Sequence, residues 1–290
     1  MTGSLSVVIP THERPAALAR LLASIVPADV PTAGPEVVVV DDGSAPHAYD
    51  GVQATYLSVK WLRQARSGPA TARNTGWRAS TGDVVVFVDD DCVLAPDTLA
   101  QLRAAVAVYD AVGASIEPLH RGHVVADYMH AEHLVTHKLQ DGEIRWLVTA
   151  CVAVRRAALE WIGGFDEHLL HAGGEDVDLS LRLKAAGFHL AVAEGAVAFH
   201  DHRASLRLLV RTYYRHGTGQ RRLAAQHPER RTDLGRSARE RLSLAAWAST
   251  YRSYRRHEGP FTSVAFVGLR LAMMVPWLIG AWRGPGGGVP

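Results

Sequence analysis

The sequence predicts an α/β fold with a mostly parallel sheet, and three observations support this class. Short apolar runs rich in β-branched residues recur through the first 200 residues. Such runs are typical of strands that are covered on both faces, as in parallel sheets. Stretches with helical spacing follow several of them, and this alternation is the pattern of α/β domains. Acidic clusters stand where two of the runs end, which is the edge at which open α/β sheets bind ligands.

The elements of the first half alternate regularly along the chain. The apolar runs predict strands at 5–9, 37–40, 59–62 and 84–88. Helical spacing of apolar side chains predicts helices at 14–25, 70–79 and 97–109. Pro15 is compatible with the first helix because proline is tolerated in a first turn.

The second half is predicted to contain further elements and then a change of character. A strand and helix are expected at 150–162, a helix at 175–186 and a last strand at 192–199, whereas 114–148 reads as irregular and rich in histidine. Within it, we expect the His-rich stretch 119–138 to lie near an acceptor substrate. The chain therefore divides into an α/β domain at 1–202 and a basic helical extension at 203–290.

The charge of the chain is unevenly distributed. Its 290 residues carry a formal net charge of only +2, which argues against a dedicated nucleic-acid binder. Residues 200–290 nevertheless hold sixteen arginines against five acidic residues, a net charge of +11, and residues 1–199 carry −9. Such asymmetry is typical of a chain in which one part holds a cation and another faces phosphates or an anionic membrane.

Cysteine content and apolar stretches indicate the cellular location. Cys92 and Cys151 have neither a disulfide framework nor metal-ligand spacing, and no basic n-region or cleavage site marks a secretory signal. A cytoplasmic location is therefore expected. The apolar stretch 264–282, interrupted by Arg270 and Pro276, is marginal as a membrane span. It equally fits an interfacial helix at the inner face of the membrane, associated peripherally through 264–282.

Three consecutive carboxylates, Asp89, Asp90 and Asp91, follow the predicted strand 84–88. Carboxylates held together repel one another unless a cation neutralises them, and a hard divalent ion would do so. Alternation along the strand is expected to turn Asp89 and Asp91 to one side and Asp90 to the other. The alternative is a solvated turn, but the apolar strand aims the cluster at the ligand-binding edge.

Each of the other polar groups has a functional and a structural interpretation. Asp41 and Asp42 suit hydrogen bonds from a base or ribose, and equally an ordinary turn. Glu175 and Asp176 suit a helix N-terminus, and one of them is also a candidate general base. His200 or His202 would complete a metal shell or be structural, and Arg73 would reach a nucleotide or lie on a helix surface.

Six motifs in order carry a family resemblance. They are Val7-Val8-Ile9-Pro10-Thr11, Val39-Val40-Asp41-Asp42-Gly43-Ser44, Ala72-Arg73-Asn74-Thr75-Gly76, Phe87-Val88-Asp89-Asp90-Asp91, Gly163-Gly164-Phe165-Asp166-Glu167 and Gly174-Glu175-Asp176-Val177-Asp178-Leu179. Together they resemble the family 2 glycosyltransferases of the GT-A fold, with its Rossmann-like sheet, over residues 4–202. The resemblance implies an inverting transferase that uses a nucleotide-diphosphate sugar, a UDP-sugar for preference, with Mn²⁺ or Mg²⁺.

The resemblance also implies roles for individual residues. Asp89–Asp91 falls on the family's DXD motif, with Asp91 as metal ligand and His200 as the additional one. Asp176 falls on the catalytic base, with Glu175 beside it. The positions that resemble nucleotide-sugar contacts are Pro10, Thr11, Glu13, Asp41, Asp42, Arg73, Asp89 and Asp90.

A narrower resemblance appears downstream, in His200-Asp201-His202-Arg203, Tyr214-Arg215-His216-Gly217-Thr218-Gly219 and 223–228. These segments are similar to glycosyltransferases of mycofactocin-type gene clusters, which implies a peptide-derived cofactor or another natural product as acceptor. Two alternatives remain open. One is a membrane-surface transferase acting on polyprenyl phosphate or a cell-envelope glycan. The other is a non-catalytic nucleotide-sugar-binding protein, which the presence of Asp91, Asp176 and His200 disfavours.

Overall fold

The computed structural model describes residues 3–26, 34–132, 134, 137–140, 143–169, 173–202, 205–227, 248, 251–252, 254–255 and 258–283. The chain forms two compact units. The first comprises residues 1–119, 135–170 and 175–201, and the second comprises 120–134, 171–174 and 202–290. The domain boundary at residue 202 stays a prediction.

The strands and helices alternate along the chain in the order expected of an α/β protein. In sequence they are β1 (Leu5–Thr11), α1 (Pro15–Ile25), β2 (Glu36–Asp42), α2 (Asp50–Thr55), β3 (Lys60–Gln64), α3 (Pro69–Ala79), β4 (Val84–Val88), β5 (Cys92–Leu94), α4 (Thr98–Val106), β6 (Ala111–Pro118), α5 (Val124–Ala131), β7 (Lys138–Gln140), β8 (Glu143–Trp146), β9 (Cys151–Arg155), α6 (Arg156–Ile162), α7 (Glu175–Ala185), β10 (Leu190–His200), α8 (Leu206–Gln226) and α9 (Pro260–Arg283).

The first unit is built on a mixed sheet with strand order β3-β2-β1-β4-β9-β6-β10-β5. Strands β3, β2, β1 and β4 run parallel to one another, as do β6 and β10, whereas β9 and β5 are antiparallel to their neighbours. The predicted α/β class with a mostly parallel sheet is confirmed. Because β1, β2 and β4 are parallel, their carboxyl ends meet at one edge of the sheet.

The core explains why these apolar runs form strands. Successive residues of β1 alternate between two hydrophobic clusters, so that Val7 and Ile9 pack in one and Val8 in the other. In β4, Val86 and Phe87 are likewise fully buried in opposite clusters. Both faces of the sheet are therefore covered here, which is why β2 and β4 consist mainly of consecutive valines rather than an alternating pattern.

The middle of the chain was mispredicted. The segment 114–148, expected to be irregular, contains the end of β6, helix α5 and the β7–β8 hairpin. Strand β6 reads Ala-Val-Gly-Ala-Ser-Ile-Glu-Pro, and its small and polar residues conceal the β pattern. Its Gly113 is required because a Cβ there would collide with the imidazole of His137. His137 is structural, since one ring nitrogen lies 2.6 Å from the Ala114 carbonyl oxygen and the other accepts from Val148 N at 3.0 Å.

The second unit contains α5, α8 and α9, which share a core that includes Tyr128, Tyr213 and Phe266. Helices α8 and α9 approach each other closely at two glycines. A Cβ on Gly217 would collide with the carbonyl oxygen of Trp277, and one on Gly280 would collide with that of Tyr214. The described part of the 203–290 extension is therefore helical, as the sequence predicts.

Candidate active site

The carboxyl ends of β1, β2 and β4 bring together the polar groups that the sequence singles out. Thr11 at the end of β1 is in register with Asp41 of β2, and Pro10 with Val40. The Thr11 hydroxyl donates to Asp90 Oδ2 at 2.7 Å, which links this edge to the acidic residues after β4. Residues that are far apart in the sequence therefore form one polar cluster.

The three consecutive aspartates lie in a turn, since β4 ends at Val88. Strand alternation does not apply there, and the prediction that Asp89 and Asp91 face the same side is wrong. Asp89 instead pairs with Arg73 at 2.7 Å. Asp90 and Asp91 share the guanidinium of Arg14, whose Nη1 lies 2.9 Å from Asp90 Oδ1 and 2.7 Å from Asp91 Oδ2. Burial raises the pKa of Asp90 to about 6, although Arg14 favours its ionised form.

A carboxylate and an imidazole meet where β5 pairs with β10. The antiparallel register sets His200 opposite Cys92, and His200 Nε2 lies 3.3 Å from Asp91 Oδ1. Ligand atoms of Asp91, Cys92 and His200 all lie within 4.8 Å of one another. The Cys92 thiol suits a hard cation poorly, because burial raises its pKa well above the usual range and it donates to the Ala150 carbonyl at 3.3 Å. The carboxylate of Asp91 suits Mn²⁺ and Mg²⁺ alike, and the imidazole of His200 beside it favours Mn²⁺ of the two.

Arg73 is an almost fully buried residue of α3 that joins two acidic groups. Its Nη2 donates to Asp89 at 2.7 Å and its Nη1 donates to Glu175 at 3.2 Å, while its guanidinium lies 5.5 Å from the ring centroid of Phe165. Two carboxylates and an aromatic ring hold this side chain in place. Arg73 therefore fixes the relative positions of Asp89 and Glu175.

The three acidic residues at the start of α7 have different surroundings. Glu175 pairs with Arg73, and Asp178 pairs with Arg182 at 2.7 Å, one helical turn further on. Asp176 Oδ1 accepts a hydrogen bond from Val177 N at 2.8 Å. Burial, reinforced by the negative charge of Glu175, raises the pKa of Asp176 to about 7. Asp176 is thus poised to exchange a proton near neutral pH.

The two carboxylates at the end of β2 organise the loops beside them. Asp42 accepts from Ser67 N at 2.7 Å, from Gly68 N at 2.9 Å and from Gln64 Nε2 at 2.9 Å. Gly68 has a φ of +93°, which favours glycine, and it precedes the first residue of α3. Asp42 therefore positions the helix that carries Arg73.

Asp41 borders a small pocket at the edge of the sheet. It accepts from Ser44 N at 2.9 Å, and the pocket of about 160 Å³ beside it is lined by residues that include Tyr49, Trp61 and Arg63. Glu13 closes the neighbouring turn, since its carboxylate accepts from Ala45 N at 2.6 Å. The pocket combines aromatic surface, a carboxylate and a guanidinium, which suits a planar polar group.

Apart from the alternative ligand His202, all the site residues predicted from the sequence fall in the first unit, and most of them converge on this edge. Of the two histidines left open, His200 lies beside Asp91, and His202 belongs to the second unit. Sequence reasoning missed Arg14 and Tyr49. The Tyr49 hydroxyl lies 2.8 Å from Thr11 Oγ1 and accepts from Arg14 N at 3.1 Å. The sequence signal for Arg14 is its place in the turn between β1 and α1, beside the predicted contact Glu13.

Comparison with known sequences finds relatives that are named as glycosyltransferases. A family model described as glycosyl transferase family 2 matches residues 6–173. Pre-mycofactocin glycosyltransferases of two Mycobacterium tuberculosis strains are 32% identical in an alignment of 243 residues that covers 79% of this chain and 49% of theirs. The chain thus spans about half the length of these relatives. A validoxylamine A glucosyltransferase of Streptomyces hygroscopicus subsp. jinggangensis is 28% identical and covers 86% of this chain and 69% of its own length.

Solved structures show the same fold. The mannosyltransferase PcManGT of Pyrobaculum calidifontis, in complex with GDP-Man and Mn²⁺, has a TM-score of 0.64 at 19% identity and covers 97% of this chain and 87% of its own. A fragment of S. aureus TarS has a TM-score of 0.55 at 18% identity, with coverages of 96% and 89%. The expected GT-A fold is confirmed. With a family model that matches more than half of its length, the chain belongs to glycosyl transferase family 2.

Proposed function

We propose that the protein transfers a sugar from a nucleotide-diphosphate sugar to an acceptor hydroxyl, with inversion at the anomeric carbon and with Mn²⁺ or Mg²⁺ as cofactor. The observation that carries the proposal is the convergence of Asp91, His200, Arg73 and Asp176 on one edge of a GT-A sheet. Membership of family 2 supports the reaction class.

The donor is assigned to the edge of β1, β2 and β4. Asp41 and the pocket beside it are proposed to receive the base, with Thr11, Asp89 and Asp90 on the side toward the diphosphate. Pro10, Glu13 and Asp42 shape this surface, and Arg73 holds the acidic groups in register. Asp91 and His200 would hold the divalent ion, which as a Lewis acid would supply stabilisation of the departing diphosphate.

Asp176 is proposed as the general base. It takes the proton of the acceptor hydroxyl, whose oxygen forms a bond to the anomeric carbon from the face opposite the nucleotide. The bond from that carbon to the diphosphate oxygen breaks, and the bonding electrons leave with the nucleotide diphosphate. A single displacement inverts the centre and needs no nucleophile from the enzyme. Glu175 acts as a positioning residue because it is held by Arg73.

The acceptor is proposed to be a peptide-derived cofactor or another small natural product. Pre-mycofactocin and validoxylamine A are the acceptors that the names of two relatives give. The donor base is proposed to be uracil, because the motifs that resemble family 2 glycosyltransferases imply a UDP-sugar. Solved structures of similar fold include complexes with GDP-Man and with UDP.

A panel of nucleotide sugars tests the donor assignment. Thermal unfolding of the protein is measured with UDP-, GDP- and dTDP-sugars, each with and without Mn²⁺. Binding to the folded state raises the melting temperature, so one donor class should raise it only when Mn²⁺ is present. No change with any nucleotide sugar would contradict the proposal.

A second candidate places the same chemistry at a membrane surface. One helix of the described chain, at Pro260–Trp282, is long and apolar enough to cross a membrane, which by itself is weak evidence. Its charged residue Arg270 donates at 2.8 Å to Glu132, the C-cap residue that follows α5, and so is neutralised within the second unit. The exposed positions between 261 and 282 are all apolar: Phe261, Val264, Ala265, Gly268, Ala272, Val275, Leu278 and Trp282.

This apolar face supports peripheral association with the inner face of the membrane, where polyprenyl phosphate or a cell-envelope glycan would be the acceptor. Sedimentation with phosphatidylcholine vesicles, with and without phosphatidylglycerol, tests it. The double variant Phe261→Ser/Trp282→Ser should lose vesicle binding. The control Trp161→Ser, which removes an equally exposed tryptophan of the first unit, should keep it. Equal binding by both variants would contradict this candidate.

A further inference from the structure

Arg14 joins two of the three consecutive aspartates through a single nitrogen. Nη1 lies 2.9 Å from Asp90 and 2.7 Å from Asp91, so one donor atom sits between two carboxylates as a small cation would. The backbone of Arg14 is fixed, because its N–H donates to the Tyr49 hydroxyl at 3.1 Å and its carbonyl accepts from Leu18 N at 3.0 Å. The side chain therefore reaches the acidic groups from an anchored position.

Arg14 differs from Arg73, the other arginine of the site, in its exposure to solvent. Arg73 is only 3% exposed and is held by Asp89 and Glu175. The side chain of Arg14 is 36% exposed, and its partners Asp90 and Asp91 include the residue assigned to the divalent ion. Arg14 and Arg73 together pair with four carboxylates, those of Asp89, Asp90, Asp91 and Glu175, so the group keeps an acidic excess that an added cation would reduce.

We propose that Arg14, which pairs with Oδ2 of Asp91, competes with the divalent ion that Asp91 and His200 would hold, and that it leaves Asp91 for the diphosphate of the donor when the ion binds. The inference rests on the proposed function. A guanidinium and a divalent ion on one carboxylate repel each other, so the two compete. The planar fork of arginine matches phosphate oxygens, so the donor offers Arg14 a new partner. Ion and nucleotide binding are therefore coupled, and each strengthens the other.

Calorimetric titration with Mn²⁺ measures the competition. It uses the wild type, Arg14→Met, Arg14→Lys and Arg78→Met, each alone and with UDP or GDP. Arg78→Met is the matched control, since Arg78 forms an ion pair with Glu167 away from the aspartates. Without nucleotide, Arg14→Met should bind Mn²⁺ at least about fivefold more tightly than the wild type. The nucleotide should strengthen Mn²⁺ binding less in this variant than in the wild type.

Arg14→Lys keeps the positive charge but removes the planar guanidinium group, so it tests the two properties separately. It also provides a test of the proposal if Arg14→Met does not fold. A lysine ammonium can still lie between two carboxylates but lacks the fork for phosphate. Its Mn²⁺ affinity without nucleotide should stay near the wild-type value, while the strengthening by nucleotide should fall.

The outcomes distinguish this inference from the function on which it rests. Equal or weaker Mn²⁺ binding by Arg14→Met, together with normal strengthening by nucleotide, would overturn the role of Arg14 and leave the metal-dependent function standing. The role of Arg14 would also be overturned if nucleotide strengthened Mn²⁺ binding as much in Arg14→Lys as in the wild type. If none of the proteins, the wild type included, binds Mn²⁺ with any nucleotide, the metal-dependent function itself fails and the inference fails with it.

Discussion

At the scale of single residues, the pH dependence of the reaction is expected to follow Asp176. Its pKa is raised to about 7, so at pH 6 most molecules carry a protonated and inactive base. The turnover rate should therefore rise as the pH increases from 6 to 8. Steady-state kinetics across this range measure it, and a rate that is flat or falls would contradict the assignment of Asp176.

The same raised pKa predicts an effect on stability. An acid whose pKa is higher in the folded state than in the unfolded state loses stability as the pH rises toward the folded value. Asp176→Asn should therefore increase the free energy of unfolding at pH 8, by on the order of 1 kcal/mol, and have little effect near pH 4. Urea unfolding at the two pH values measures the difference.

Asp178→Asn is the matched control in the same helix. It breaks the ion pair with Arg182, so it should destabilise the protein at pH 8 rather than stabilise it. A loss of stability in Asp176→Asn at pH 8 would contradict this prediction, because it would mean that the ionised Asp176 carboxylate does not destabilise the folded protein.

Some residues of the site could be predicted and others could not, for a physical reason. Asp91 follows an apolar strand, and Asp176 follows a pair of glycines at the start of a helix. Both belong to motifs that occur in a fixed order along the chain, so the two residues could be predicted to lie near one edge of the sheet. Arg14 is a lone arginine before a helix, a context typical of a solvated surface. Its contacts with Asp90 and Asp91 span more than 70 residues of sequence and emerge only when β1 and β4 pair.

At the scale of elements, strands with a strong intrinsic signal were predicted well. The run 84–88 forms β4 with the same bounds, because five β-branched or aromatic residues in a row are covered on both faces. β6 was missed because its small residues accommodate neighbours such as His137, and this packing has no local signal. β5 has only three residues and depends on its pairing with β10.

Helix packing in the second unit makes a testable prediction. Gly280→Ala should lower the melting temperature, since its Cβ would meet the Tyr214 carbonyl oxygen, and overpacking of this kind typically costs about 1–3 kcal/mol. Gly268→Ala in the same helix meets open space and should be neutral or stabilising, as alanine favours helices by up to about 1 kcal/mol over glycine. Thermal unfolding compares the two variants. Equal effects would contradict the close approach of α8 and α9.

At the scale of the whole molecule, the near-zero net charge conceals two different parts. Part of the acidic excess of residues 1–199 is gathered at one edge of the first unit. Several arginines of the basic part, among them Arg230, Arg231 and Arg236, lie outside the described residues. Arg221 donates to the Ala281 carbonyl oxygen at 3.3 Å, near the end of α9. The role of three further arginines of α8, Arg211, Arg215 and Arg222, in covering a diphosphate or facing an anionic membrane stays a prediction.

The order of the motifs was enough to predict the GT-A fold, because four of the six lie at the end of a strand or the start of a helix. The division into two units was less accessible to the sequence. Residues 120–134 group with the C-terminal part through packing of Tyr128 against Tyr213 and Phe266, which are 85 or more residues away. Contacts at such separations leave no local pattern.

The measurement that tests the central claim most directly is the anomeric configuration of the first product. The donor is the nucleotide sugar that raises the melting temperature of the protein. Proton NMR follows its transfer to an acceptor, or its hydrolysis by water, in the presence of Mn²⁺. An α-linked donor should give a β-configured product as the first signal, since Asp176 activates an attack from the face opposite the nucleotide. A first product that retains the α configuration would contradict the single displacement on which this account rests.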